Sequence, residues 1–78
     1  MISERLKRII LRELDLEEFD LQDGTRAGDV PGWDSLSHVK VILAVEREFG
    51  SRFKTAELLR LKNVGDLQAL IDRETRGV

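Results

Sequence analysis

The sequence contains no cysteine and only one proline, and aromatic residues make up 5% of it. Without cysteine the chain forms neither a disulfide nor a thiolate zinc site, so its fold must depend on the burial of apolar side chains. Hydrophobic residues account for 41% of the 78 residues, which is sufficient for one small core. A chain of this length is expected to form a single domain.

An excess of one charge and a long apolar run are also lacking. Thirteen basic and fifteen acidic residues give a formal net charge of -2, and this near balance argues against a strong electrostatic grip on nucleic acid. The N-terminal segment MISERLKRII is charged from its fourth residue, and no apolar run is long enough for a signal peptide or a membrane span. We therefore expect a cytoplasmic, monomeric protein without a nucleic-acid partner.

The first half of the chain predicts a helix followed by a long loop. Apolar residues at three- and four-residue steps predict helix one over about residues 3–14, with Ser3 as its N-cap. These apolar positions are Ile2, Leu6, Ile9, Ile10 and Leu14. Residues 15–34 break the pattern, because they hold three of the six glycines and the only proline. The side chains expected to fix this loop to the core are Leu14, Leu16, Phe19, Leu21, Val30 and Trp33.

The second half predicts three more helices. Asp34 caps a helix over residues 35–49 that ends at Gly50. The apolar face of this helix is assigned to Leu36, Val39, Ile42, Leu43 and Phe49, with Val45 near its margin. Phe53 anchors the next connection, and Thr55 caps a short helix over about residues 56–60.

Asn63 caps the last helix, over residues 64–73, and Asp66 stands in a capping-box relation to it. The inward positions of this helix are Val64, Leu67, Leu70 and Ile71. The sequence thus predicts an all-α fold, a small bundle of three principal helices plus one short helix. The long loop lies between the first and second helices.

Catalytic groups are scarce in this sequence. His38, the only histidine, follows Ser35 by one helical turn, so a nucleophilic Ser-His pair is conceivable. No neighbouring residue orients the imidazole, and we favour a helix-start hydroxyl beside an exposed histidine. One histidine and scattered carboxylates give no metal-ligand spacing, so no metal site is expected. Arginines on helix one alternate with Glu4 and Glu13 and are interpreted as a solvated face.

The segment GWDSLSHVKVILAVEREFG, residues 32–50, resembles the acyl and peptidyl carrier protein family. The signature of that family is Asp-Ser-Leu at the start of the second helix after a long loop, and Asp34, Ser35 and Leu36 match it residue by residue. The motif gains specificity from its context. An amphipathic helix precedes it, and the helix that it starts ends in Glu-x-Glu-Phe-Gly. Phe53, the segment ELLRL and a capped final helix follow. The resemblance covers nearly the whole chain.

The resemblance implies a stand-alone, non-catalytic carrier. A phosphopantetheinyl transferase, with magnesium and coenzyme A, would attach a 4'-phosphopantetheine arm to the Ser35 hydroxyl. Acyl intermediates would be carried on this arm as thioesters, between a loading enzyme and downstream transferases or synthases. The residues that the resemblance places against partner enzymes are Asp34, Leu36, Val39, Lys40, Arg47 and Glu48. A cleft for acyl chains would be bounded by Ile42, Val45, Phe49, Phe53, Leu58 and Leu61, although core packing is the preferred interpretation for each.

The charges of helix two differ from those of the fatty acid carriers that the chain resembles. Those carriers are strongly acidic along this helix, whereas this chain interleaves basic residues with Glu46 and Glu48. We therefore expect a specialised fatty acid or polyketide-type pathway. The alternative is an aminoacyl or peptidyl carrier loaded by an adenylating enzyme, and a more remote alternative is an unmodified helical interaction module.

Overall fold

The computed structural model describes residues 2–75, and within this range it contains helices and no strands. Helix α1 spans Glu4–Glu13, α2 spans Ser35–Phe49, α3 spans Thr55–Leu58 and α4 spans Val64–Thr75. A 3-10 helix at Ala27–Asp29 interrupts the long loop between α1 and α2. The predicted fold class, with three principal helices and one short helix, is confirmed. No helix within residues 2–75 is long and apolar enough to cross a membrane.

Side chains at the helix termini account for several of these boundaries. The Ser3 hydroxyl accepts a hydrogen bond from the Leu6 backbone N–H at 3.2 Å, which satisfies one of the free N–H groups of α1. The Asn63 side chain does the same for the Asp66 N–H of α4 at 2.8 Å. Gly50 follows α2 with a φ of 66°, a left-handed conformation that glycine adopts without a steric penalty.

One predicted helix start and one predicted capping contact need correction. Thr55 is the first residue of α3 rather than its cap, and the Glu57 carboxylate accepts the backbone N–H of the preceding Lys54 at 3.2 Å. The Asp66 carboxylate accepts the N–H of Lys62 at 2.9 Å rather than that of the capping Asn63. In both cases an acidic side chain of the first turn accepts a backbone N–H that precedes the helix. The structure ends α3 at Leu58 and α4 at Thr75, whereas the sequence predicts ends at about residue 60 and at residue 73.

One apolar core joins all the principal helices and the long loop. Its buried members are Leu6, Ile9, Ile10, Leu21, Val30, Trp33, Val41, Ile42, Val45, Phe53, Val64, Leu67, Leu70 and Ile71. The inward positions predicted for α4 are all buried, and Leu14, Leu16 and Phe19 pack partly buried against the core. The loop is therefore fixed to the bundle by its apolar side chains, as the sequence predicts.

The face assigned to α2 is wrong in part. Leu36, Val39 and Leu43 are more than half exposed, while Val41, absent from the predicted face, is completely buried. Apolar residues occur around most of the circumference of this helix, so periodicity alone does not determine which stripe is buried. Phe49 is only partly buried, and the Arg5 guanidinium carbon lies 4.6 Å from the centroid of its ring.

Backbone hydrogen bonds hold the loop against the start of α4. The Val64 N–H donates to the Thr25 carbonyl and the Gly65 N–H donates to the Asp23 carbonyl, both at 2.8 Å. A Cβ atom at position 65 would stand 2.8 Å from the same Asp23 oxygen, so this approach requires glycine. The loop thereby satisfies two N–H groups of α4 and leads the chain into Ser35 from a fixed position.

Candidate functional site

Ser35 is the first residue of α2, and it is exposed. The preceding residue, Asp34, caps the helix, because its Oδ1 accepts the Ser37 N–H at 2.8 Å. The Asp34 carbonyl accepts the His38 N–H at the same distance. Asp34 therefore fixes the first turn of the helix, and the Ser35 hydroxyl is left open to an approaching enzyme.

The backbone dipole at this helix start favours a covalently attached phosphate, whereas the adjacent Asp34 carboxylate carries charge of the same sign as that phosphate. The first turn of α2 contains no acidic residue, and the positive end of a helix dipole favours an adjoining anion by roughly 0.3–1 kcal/mol. The hydrogen bond from the Ser37 backbone N–H lowers the pKa of the Asp34 carboxyl below its ordinary value. Asp34 is therefore ionised at neutral pH, and an enzyme that approaches Ser35 meets a carboxylate beside the hydroxyl.

Trp33 and His38 are joined across the start of α2. The Trp33 indole N–H donates to Nδ1 of His38 at 3.1 Å, and the two rings stack with centroids 6.0 Å apart. With Nδ1 acting as acceptor, the neutral imidazole carries its hydrogen on Nε2. Neither nitrogen is then free to take a proton from Ser35, so the structure argues against the Ser-His nucleophilic pair.

A small cavity lies beside this ring pair, with a volume of about 50 Å³. It is lined by Ala27, Trp33, His38, Leu61, Lys62, Asn63, Val64 and Leu67. Of the six residues considered for an acyl cleft, only Leu61 belongs to this lining. Ile42, Val45 and Phe53 are buried in the core, and Phe49 and Leu58 pack partly buried against it, so core packing is their role in this conformation.

The exposed side of α2 carries most of the residues expected to contact partner enzymes. Leu36 is 69% exposed and Val39 is 53% exposed, and Lys40 and Arg47 are also exposed. These side chains follow Ser35 along the helix and are accessible to a second protein.

Glu48 is exposed but is engaged with α1. Its carboxylate lies 3.1 Å from the Arg5 guanidinium, and its carbonyl accepts a further hydrogen bond from Arg5 at 2.9 Å. Glu48 therefore pairs with α1 while its side chain remains accessible to a second protein.

The Trp33–His38 hydrogen bond is not predictable from the sequence. The two residues are five apart, which is not a helical neighbour spacing, and Trp33 precedes the helix. Only the turn before α2 brings the indole back over His38. No periodic pattern in the sequence carries this information.

Protonation of His38 is expected to destabilise the fold. Burial lowers the pKa of His38 below its ordinary value of 6.5, so the unfolded chain binds this proton at higher pH than the folded chain. The contribution of neutral His38 to the free energy of unfolding is complete above pH 6.5. It is lost as the pH falls towards the lower folded-state pKa. The free energy of unfolding, followed by circular dichroism in urea, should therefore decrease over this range.

His38→Gln is the matched control for this prediction, because glutamine does not titrate. Its free energy of unfolding should change less between pH 7.5 and pH 5 than that of the wild type, by the linkage argument above. Circular dichroism is the suitable probe, since fluorescence of the single tryptophan depends directly on the adjacent imidazole. Identical pH dependence in both proteins would contradict the assigned environment of His38.

Comparisons with known proteins agree with this arrangement. A family model described as a phosphopantetheine attachment site matches residues 4–71. An acyl carrier protein of Rhodopseudomonas palustris (strain BisB18) is 31% identical over 75 residues, which cover 96% of this chain and 95% of that protein. An acyl carrier protein of Thermotoga maritima is 30% identical over 73 residues, covering 94% and 90% of the two chains.

A solved structure is also similar to this chain. The solution NMR structure of holo acyl carrier protein from Geobacter metallireducens has a TM-score of 0.86 and 38% sequence identity, and the match covers 91% of this chain and 82% of that one. The similarity thus extends over sequence and fold together. This chain belongs to the acyl carrier protein family, whose members are carriers with a covalently attached phosphopantetheine rather than enzymes.

Proposed function

We propose that the Ser35 hydroxyl carries the 4'-phosphopantetheine arm of this acyl carrier protein. The observation that supports this most directly is an exposed serine at the first position of α2, within Asp34-Ser35-Leu36. The side chain is open to solvent, so there is room for an attached group, and the helix start favours its phosphate. The segment lies inside residues 4–71, which match the phosphopantetheine attachment family.

Attachment requires a phosphopantetheinyl transferase as the first partner. In this step Ser35 Oγ forms a bond to the pantetheine-side phosphorus of coenzyme A, and the pyrophosphate P–O bond breaks. Adenosine bisphosphate leaves with the electron pair of that bond, and the hydroxyl proton passes to the transferase. The contribution of this chain is to present the hydroxyl on a rigid helix start, with Asp34 as the fixed cap beside it.

The thiol at the end of the arm then holds an acyl group as a thioester. A flexible tether raises the effective concentration of the cargo at each partner's active site, so transient docking is sufficient. Loading enzymes and downstream transferases or synthases are the remaining partners. We propose that the chain forms one carrier domain, since the described helices share a single core, and that it acts as a monomer in the cytoplasm.

We further propose that the carrier serves a specialised fatty acid or polyketide-type pathway. Lys40 and Arg47 are exposed on α2, where the carriers of fatty acid synthesis that the sequence resembles are acidic. A partner selected for an acidic helix would meet like charges here, and such contacts reduce the association rate. The same surface is compatible with an aminoacyl cargo, which remains the alternative.

A loading assay tests this assignment. The malonyl-transferring enzyme of a bacterial fatty acid synthase is supplied with holo forms of this chain and of that synthase's own acidic carrier. We expect malonyl transfer to this chain to be slower by roughly ten-fold at low ionic strength, by loss of electrostatic steering. Equal rates would contradict the specialised pathway, and transfer of an amino acid from an adenylating enzyme would support the alternative.

A further inference from the structure

The outward side of α2 carries apolar and basic side chains that the bundle leaves uncovered. Leu36, Lys40, Leu43 and Arg47 are separated by four, three and four residues, so they lie along one side of the helix. We call these four residues the α2 stripe. Leu36 and Leu43 are 69% and 54% exposed, and the two basic residues are exposed as well. The opposite side of the helix packs into the core, so the stripe faces solvent.

The carboxylates of α2 are occupied by other parts of the protein. Glu48 accepts hydrogen bonds from the Arg5 guanidinium of α1 at 3.1 and 3.3 Å. The Glu46 carboxylate accepts the backbone N–H of Phe53 at 2.8 Å. Glu46 also lines a depression together with Leu43 and Arg47, but within residues 2–75 neither carboxylate forms an ion pair with Lys40 or Arg47.

One further carboxylate lies at the edge of the stripe. Glu13 of α1 lines a shallow depression together with Lys40 and Arg47, but its carboxylate is 3.7 Å from the Arg12 guanidinium. Among residues 2–75, neither Lys40 nor Arg47 forms an ion pair. The α2 stripe therefore combines two exposed leucines with two positive charges that have no ion-pair partner in the described part of the chain.

We propose that the α2 stripe docks a partner enzyme whose contact surface is an apolar pocket rimmed by aspartate and glutamate side chains. The inference rests on the proposed function, because the stripe begins one residue after Ser35. An enzyme that acts on a group attached at Ser35 must approach this end of α2. Exposed apolar patches with a charged rim mark interaction sites, and the positive rim selects for a negative partner surface.

A transferase with a modified surface provides the probe. Two versions of a promiscuous phosphopantetheinyl transferase are prepared, one with glutamates and one with lysines around the entrance to its active site. We expect the glutamate version to modify the wild-type chain faster by roughly ten-fold at low ionic strength. The Lys40→Glu/Arg47→Glu variant should reverse this preference, and added salt should reduce both effects.

The matched control places the same charge change outside the stripe. Arg8 and Arg60 are exposed, and the Arg8→Glu/Arg60→Glu variant should keep the wild-type preference for the glutamate version. If the preference between the two transferase versions follows net charge alone, or if none of the three proteins shows a preference, the α2 stripe is not the docking surface. Absence of the mass gain in all three would instead contradict the proposed function, since that endpoint does not depend on the rate.

The apolar part of the stripe has its own test. Leu43→Ser should slow modification by both transferase versions, while Leu59→Ser, at a site 81% exposed and outside the stripe, should not. Sedimentation equilibrium then tests whether a second copy of this chain, rather than an enzyme, binds to the α2 stripe. Monomers in the wild type and in Lys40→Glu/Arg47→Glu support the enzyme partner, whereas a wild-type dimer that the double variant lacks would overturn it.

Discussion

Leu6→Ala is expected to remove a large part of the stability of this domain. Leu6 is fully buried in α1, and truncation of a buried leucine costs about 3–5 kcal/mol, because apolar contacts are lost and a cavity remains. Domains have roughly 0.05–0.15 kcal/mol of stability per residue, or roughly 4–12 kcal/mol for a chain of 78 residues. The thermal midpoint, followed by circular dichroism, should fall by more than about 10 °C.

Leu59→Ala provides the same chemical change at the surface. Leu59 is 81% exposed, so its truncation should alter the free energy of unfolding by less than about 0.5 kcal/mol. A comparable loss of stability in both variants would show that the core is placed wrongly. Retention of the wild-type midpoint in Leu6→Ala would contradict the packing of α1 in particular.

The sequence predicts the helices well because their signals are local. Apolar spacing identifies α1, and polar caps at Ser3, Asp34 and Asn63 precede three of the helices in the structure. A glycine in the left-handed conformation follows α2. Each of these signals acts within one or two helical turns, so no knowledge of the tertiary fold is needed to read them.

The buried face of α2 could not be predicted in the same way. Val41 is completely buried, while Leu36 and Leu43 are exposed, although all three are apolar. Which of them is buried depends on how the long loop and the other helices pack against α2. The resemblance to carrier proteins gave the better prediction for Leu36, because it implied a surface contact where periodicity implied core.

Contacts between distant residues were also beyond the sequence analysis. The ion pair between Arg5 and Glu48 joins residues 43 apart, and no pattern in the sequence indicates it. The close approach of Gly65 to Asp23 likewise depends on the path of the loop. Such pairs follow from tertiary packing, whereas the motif around Ser35 is visible in three consecutive residues.

Ser35→Ala is expected to abolish attachment of the arm completely. The variant lacks the oxygen that would form the phosphodiester, so no mass gain should follow treatment with coenzyme A and a promiscuous transferase. Because Asp34 supplies the capping carboxylate, the loss of the Ser35 hydroxyl should change the free energy of unfolding by less than about 0.5 kcal/mol. Helical circular dichroism should therefore remain close to that of the wild type.

Three other serines act as controls for the site. Ser37→Ala tests the nearest hydroxyl on α2, and Ser3→Ala and Ser51→Ala test hydroxyls elsewhere in the chain. Each of these variants should gain the same mass as the wild type. Loss of modification in Ser37→Ala with retention in Ser35→Ala would move the attachment site along the helix.

The intact mass of the wild type and of Ser35→Ala, measured side by side after this treatment, tests the central assignment most directly. We expect the wild type to gain one phosphopantetheine group, located on Ser35 by fragmentation, and Ser35→Ala to keep its unmodified mass. Modification of the alanine variant, or an unchanged mass for folded wild-type protein, would contradict Ser35 as the attachment site.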